Sequence, residues 1–111
     1  MIKLNYNLNA CCKNCRTAIP VEIFKDDFSE FRNERSMGYE IEYEYKKDIK
    51  CPKCNNDIML GFHVYEYPND WINFSEAFGY GYFKDDVIEK INNINEKTNN
   101  VLFDVDKELN D

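Results

Sequence analysis

Four stretches of the chain alternate apolar and polar positions with a period of two. Ile2, Leu4, Tyr6 and Leu8 alternate with Lys3, Asn5 and Asn7; Ile19, Val21 and Ile23 repeat the pattern, with Pro20 marking a sheet edge or a strand entrance. Tyr39, Ile41, Tyr43 and Tyr45 alternate with Glu40, Glu42, Glu44 and Lys46, and Ile58, Leu60, Phe62 and Val64 follow at the same spacing. Successive side chains of a strand point to opposite faces, so these runs predict four half-buried strands. His63 falls in the last of them, on the face opposite Phe62 and Val64, and reads as an ordinary sheet residue; a ligand or general base is its alternative.

Between the second and third predicted strands, Phe24, Phe28 and Phe31 stand at i, i+4 and i+7. That spacing predicts a short amphipathic helix or turn whose ring stripe packs on the sheet, with a binding patch as the alternative. After Pro68 the composition changes: Trp71, Ile72, Phe74, Phe78, Tyr80, Tyr82 and Phe83 crowd one segment, loosened by Gly79 and Gly81. Core packing is the favoured reading of this aromatic turn; its alternative is a binding surface, where a protein contact ranks above stacking on unpaired bases because the segment lacks Lys and Arg. A final helix is predicted from Asp85 or Asp86 as cap, with Val87, Ile91, Ile94, Thr98, Val101 and Val105 along one seam. The asparagines at 92, 93, 95, 99 and 100 form helix poorly, so tertiary contacts must hold it, and Asn99-Asn100 offers a stop. Packing on its own sheet is favoured over a dimer seam, and monomer or homodimer stays open.

The cysteines change the picture most. Cys12/Cys15 and Cys51/Cys54 are two Cys-x2-Cys pairs with 35 residues between Cys15 and Cys51. Two residues between thiolates let a tight turn aim both sulfurs at one ion, and two such turns complete the tetrahedral four-sulfur shell that zinc prefers. The pairs thus predict one structural Zn²⁺ held by Cys12, Cys15, Cys51 and Cys54. Gaps of about 15 to 20 residues are commoner between such pairs. Here each pair sits between two predicted strands, and the strands account for the length. Cys11/Cys15 is an alternative to Cys12/Cys15 with three residues between; in the favoured assignment Cys11 is a small buried thiol.

Cys12-Lys13-Asn14-Cys15 and Cys51-Pro52-Lys53-Cys54, with their flanking strands, resemble a zinc ribbon over about residues 2–67. The resemblance implies two cysteine-bearing knuckles held side by side by a small antiparallel sheet. Arg16 and Asn55 stand where a glycine often completes such a knuckle; Asn55 tolerates a left-handed backbone and Arg16 does so less readily. The expected fold class is therefore α+β, a small antiparallel zinc-ribbon-like sheet with an inserted short helix or turn and a C-terminal helix. Residues 1–68 form the sheet domain, and 69–111 the aromatic turn and helix packed on it as one compact unit.

The chain has 111 residues and a formal net charge of −7, while 43% hydrophobic residues suffice for a core. The charge is unevenly spread: residues 1–21 carry +3 and residues 51–111 carry −7. An excess of acid disfavours a protein that coats nucleic acid or anionic membrane, and it favours a basic protein partner. No stretch approaches the roughly 18 to 20 apolar residues that span a bilayer, and the alternating start lacks a signal peptide's continuous apolar segment. A cytoplasmic, reducing location is expected, where cysteines serve metals or redox chemistry before disulfides.

Four thiolates close a metal's shell, whereas a catalytic zinc keeps a position for water, so no enzyme is expected. These features predict a zinc-stabilised binding protein that presents an acidic surface to a basic protein, for example an inhibitor or immunity protein of a nuclease. Glu89, Glu96, Asp104, Asp106, Glu108 and Asp111 are the expected acidic face. The alternative is a nucleic-acid-associated zinc ribbon, a transcription accessory or regulator, resting on Lys13, Arg16, Lys50 and Lys53 near the knuckles. A third reading is a dithiol redox protein built on Cys51-Pro52-Lys53-Cys54.

Overall fold

The computed structural model describes residues 4–36 and 38–109, the segment 100–109 through its backbone. Each predicted strand is present. Strands β1 (Tyr6–Cys11) and β2 (Ala18–Ile23) pair antiparallel as one sheet; β3 (Ser29–Arg35), β4 (Gly38–Lys50), β5 (Asp57–Glu66) and β6 (Ile72–Tyr80) form a second antiparallel sheet in the order β3-β4-β5-β6. Helix α1 (Lys84–Leu109) closes the chain, so the class is α+β. Ile2 and Lys3 of the first predicted strand lie outside the described residues.

Alternation decides which face of each strand is covered. Tyr43 and Tyr45 on β4 and Ile58, Leu60, Phe62 and Val64 on β5 are buried, together with Leu4, Tyr6, Leu8 and Ala10 from the first sheet. The core therefore lies between the two sheets, and α1 completes it with Val87 and Ile91. Phe28 is the pivot of this layer. Its ring lies 6.3 Å from that of Tyr6 on the first sheet and 5.7 Å from that of Phe62 on the second, both edge-on.

Three expectations are corrected here. The segment carrying Phe24, Phe28 and Phe31 takes the turn of the helix-or-turn expectation, but without the common ring stripe: a 3-10 turn at Lys25–Asp27 leads directly into β3, and the rings do not share a face. Phe28 goes inward, while Phe24 and Phe31 are 51% and 49% exposed. β3 is exposed along its whole length, so pairing with β4 holds it, not burial.

The aromatic segment after Pro68 is largely a strand. β6 pairs with β5, setting Phe74 opposite Tyr65 and Glu76 opposite His63. It only partly meets the expected core role: Ile72 and Tyr82 are buried, whereas Trp71, Phe74 and Tyr80 are among the exposed large side chains. Gly79 and Gly81 adopt positive φ, and a Cβ on Gly79 would run into the Met59 carbonyl oxygen. Only glycine lets β6 approach β5 so closely there.

The helix starts at Lys84, with Asp85 and Asp86 in its first turn, where carboxylates favour the positive end of the helix dipole. It runs through Asn99-Asn100 instead of stopping there. Val87 and Ile91 are buried, Ile94 packs against the core and Thr98 is half-buried, so the described part of the seam faces the protein's own β6 and β1. Val101 and Val105, like Asp104, Asp106, Glu108 and Asp111, lie outside the residues whose side chains are described.

Candidate metal centre

The two cysteine pairs occupy matching turns. Cys11 faces Ala18 at the end of the β1–β2 ladder, and Lys50 faces Asp57 at the end of the β4–β5 ladder, so each turn encloses six residues. In the first, Cys12 N–H donates to Thr17 C=O at 2.9 Å and Arg16 N–H to Cys12 C=O at 2.7 Å. In the second, Cys51 N–H donates to Asn56 C=O at 3.0 Å and Asn55 N–H to Cys51 C=O at 2.9 Å. Arg16 and Asn55 adopt the left-handed conformation at φ 64° and 63°. Arg16 thus takes the position that a glycine often fills, and its guanidinium carbon lies 6.0 Å from the centroid of the Phe83 ring.

These turns bring together the four predicted sulfurs, those of Cys12, Cys15, Cys51 and Cys54, all within 4.8 Å of one another. Cys12 and Cys54 Sγ are 3.6 Å apart, and Cys15 and Cys51 Sγ 3.5 Å. A disulfide requires about 2.05 Å. Tetrahedral zinc with Zn–S bonds of about 2.3 Å sets its sulfurs about 3.8 Å apart. The spacing and the all-sulfur donor set fit one tetrahedral, thiophilic ion. Cys11 stands outside the group, its thiol donating to the Arg16 carbonyl at 3.4 Å.

Polar neighbours already favour thiolates at part of this cluster. Cys15 is pulled down to about 6, first by its hydrogen bond with the Thr17 hydroxyl at 3.1 Å and then by the Thr17 backbone. Burial pushes Cys12 up, but backbone N–H groups of Cys15 and Asn14 outweigh it and the thiol is lowered. The Asn14 amide and the Asn56 N–H pull on Cys54, yet burial and the neighbouring sulfurs prevail and raise it.

The Asn56 side-chain amide also reaches across to Cys12 Sγ at 3.8 Å, so each turn sends an amide toward a sulfur of the other. Sequence reasoning missed this outer layer of Asn14, Thr17 and Asn56. Its signal was the small polar residue at the same place in both turns, directly after Arg16 and Asn55.

The centre is bolted to the rest of the fold through the segment between β6 and α1. Lys13 N–H donates to Gly81 C=O at 2.9 Å, Phe83 N–H donates to Cys11 C=O at 3.2 Å, and Cys12 forms an isolated bridge with Tyr82. Tyr82 in turn donates its hydroxyl to the carbonyls of Gly61 and Phe78.

His63 takes no part in the sulfur group. It lies on the outer face of the second sheet, with Nε2 2.9 Å from Glu44 and Nδ1 3.0 Å from Glu76. Of the basic residues near the knuckles, Lys50 pairs with Asp57 at 3.5 Å and Arg16 leans on Phe83, while Lys13 and Lys53 are exposed. No helix among the described residues is long and apolar enough to cross a membrane. No protein-family model, curated protein or solved structure matches the chain.

Proposed function

We propose that this is a non-enzymatic, cytoplasmic binding protein, stabilised by one structural zinc, that presents an acidic surface to a basic protein partner. The observation that carries the reading is the convergence of the Cys12, Cys15, Cys51 and Cys54 sulfurs from two sheets into one group. Four thiolates leave a tetrahedral ion no position for water or substrate, so the metal's role is to join the sheets. With a formal charge of −7, the surface attracts a cationic partner and repels phosphates. An inhibitor or immunity protein for a nuclease is one fitting example, because carboxylates can fill the cationic groove that otherwise holds a phosphate backbone.

Native mass spectrometry with elemental analysis tests the metal. One zinc per chain, lost together with the fold in Cys12→Ser or Cys54→Ser, supports the reading; a folded, metal-free protein overturns it. Titration with single-stranded and duplex oligonucleotides tests the partner class. Micromolar or tighter binding at physiological salt favours a nucleic-acid-associated zinc ribbon instead.

A further inference from the structure

One face of the four-stranded sheet packs on the core and carries α1 and the first sheet behind it. The other face is built from the alternate positions. Across one rung stand Phe31, Glu42, Tyr65 and Phe74; across the next stand Ser29, Glu44, His63 and Glu76. Phe31, Phe74 and Tyr80 on this side are 49%, 48% and 57% exposed, a heavy aromatic load for a surface facing water.

The aromatic planes are ordered by stacking. Tyr65 and Phe74 lie 4.3 Å apart at 16°, and His63 and Phe78 lie 4.8 Å apart at 27°. Gly61 makes room for the Phe78 ring, which a Cβ would strike. Carboxylates are set between these plates. Glu42 accepts from the Tyr65 hydroxyl at 3.0 Å, and Glu44 and Glu76 flank the His63 ring. Among the described residues, His63 is the only basic side chain within 4 Å of these three carboxylates. Arg35, Lys46 and Lys50 share this side of the sheet, but Arg35 pairs with Glu40 and Lys50 with Asp57, so the part bearing the rings keeps negative charge.

We infer that the outer face of the β3-β4-β5-β6 sheet is the docking surface of this protein, and that its occupant is an arginine-bearing segment of a basic protein. The inference rests on the acidic-surface reading above and gives it a place. A guanidinium is planar, stacks on aromatic faces and offers a fork of donors to carboxylates; the alternation of rings and glutamates along the rungs matches both properties at once. A lysine ammonium satisfies only the charge. A second copy of this chain brings the same carboxylates against Glu42, Glu44 and Glu76 and is repelled, as is a phosphate backbone.

The test is an NMR titration of the zinc-loaded protein with an end-blocked octa-arginine peptide and its octa-lysine counterpart. The expected result is tighter binding of the arginine peptide, with the largest shifts at His63, Tyr65, Phe74 and Phe78. Replacing both Glu42 and Glu76 by Gln weakens it about tenfold through lost charge-assisted hydrogen bonds. The same charge change on α1, Glu89→Gln with Glu96→Gln, stays within about twofold, the scale of a remote exposed charge. Folding of each variant is read from the same spectra, and Phe74→Ala provides a second, charge-neutral weakening of the arginine peptide. Binding that maps to α1, or that the α1 pair weakens equally, overturns the location while the acidic-surface reading stands. Equal affinity for the two peptides overturns the arginine assignment. If neither peptide binds even at low salt, the face and the acidic-surface reading both fall.

Discussion

Asn99 on α1 holds both backbone groups of Ile72 at the start of β6: its Oδ1 accepts from the Ile72 N–H at 3.1 Å, and its Nδ2 donates to the Ile72 C=O at 3.0 Å. One turn earlier, Asn95 accepts from the Tyr6 hydroxyl at 2.8 Å and donates to Ser75 Oγ at 2.6 Å. A side chain thus gives the edge strand what a further strand would give it. Asn99→Ala strands two buried backbone groups and should cost about 2 kcal/mol in a urea titration. Asn92→Ala, at an exposed position of the same helix, should stay within about 0.5 kcal/mol.

Gly79→Ala should be among the most damaging small substitutions. The residue has φ 105°, and the added methyl meets the Met59 carbonyl, which the β5–β6 ladder fixes in place. Gly38→Ala is the matched comparison, with φ 112° but open space around the new carbon. Thermal melts should show a loss of about 1–2 kcal/mol for Gly38→Ala, the cost of backbone strain alone, and clearly more for Gly79→Ala.

The left-handed residue after the second pair is a lever on the metal. Asn55→Gly should keep or improve zinc affinity, since glycine takes that conformation freely. Asn55→Val should weaken it by about 2 kcal/mol, roughly thirtyfold, because a β-branched residue resists positive φ. Competition against a chromophoric chelator reads both, and Cys11→Ser should leave the affinity unchanged.

His63 is the single histidine and gives a clean pH signal. Burial disfavours its charge, but hydrogen bonds to Glu44 and Glu76 and the field of Glu42 outweigh that and raise its pKa above the ordinary 6.5. The groups facing it are Glu42 and Glu44 from β4, Tyr65 from its own strand, and Glu76 and Phe78 from β6. A raised pKa in the folded state means the imidazolium stabilises the fold fully below 6.5, and the contribution fades as pH climbs through the folded value. Urea midpoints should therefore fall on the alkaline side of 6.5 in the wild type. His63→Gln should remove that part of the slope, and the ring's NMR titration should report the same pKa.

What the sequence disclosed follows burial. β1, β2, β4 and β5 each have one covered face, and their alternation was legible, as was the sulfur set, because two-residue spacing is imposed by the turn that aims both thiols. β3 reads Ser-Glu-Phe-Arg-Asn-Glu-Arg and has no covered face, so nothing in its pattern marks a strand; its identity comes from Glu42 and Tyr43 across the ladder. Phe24, Phe28 and Phe31 show helical spacing that the chain does not use. Asn95 and Asn99 misled for a related reason: intrinsic helix preference counts against them, whereas their long-range bonds to Tyr6, Ser75 and Ile72 are what fasten the helix. Arg16 stood at the position a glycine often fills, but its own side chain argued against the left-handed backbone that the matching hydrogen bonds of the two turns dictate.

The division of the sulfurs between two sheets makes metal occupancy and core packing reciprocal. A metal held by all four sulfurs would capture the state in which the β1–β2 and β4–β5 turns are in register, so whatever loosens that docking would lower its affinity by the same free energy. Phe28 bridges Tyr6 and Phe62, and the rings it meets, those of Tyr6, Tyr43, Tyr45 and Phe62, belong to β1, β4 and β5 and not to the cysteine turns. A cavity made at Phe28 should therefore register as increased demand for zinc, and excess zinc should refold the variant. On the proposed zinc reading, scarcity of the metal would make the abundance of this protein depend on how well its aromatic layer is packed.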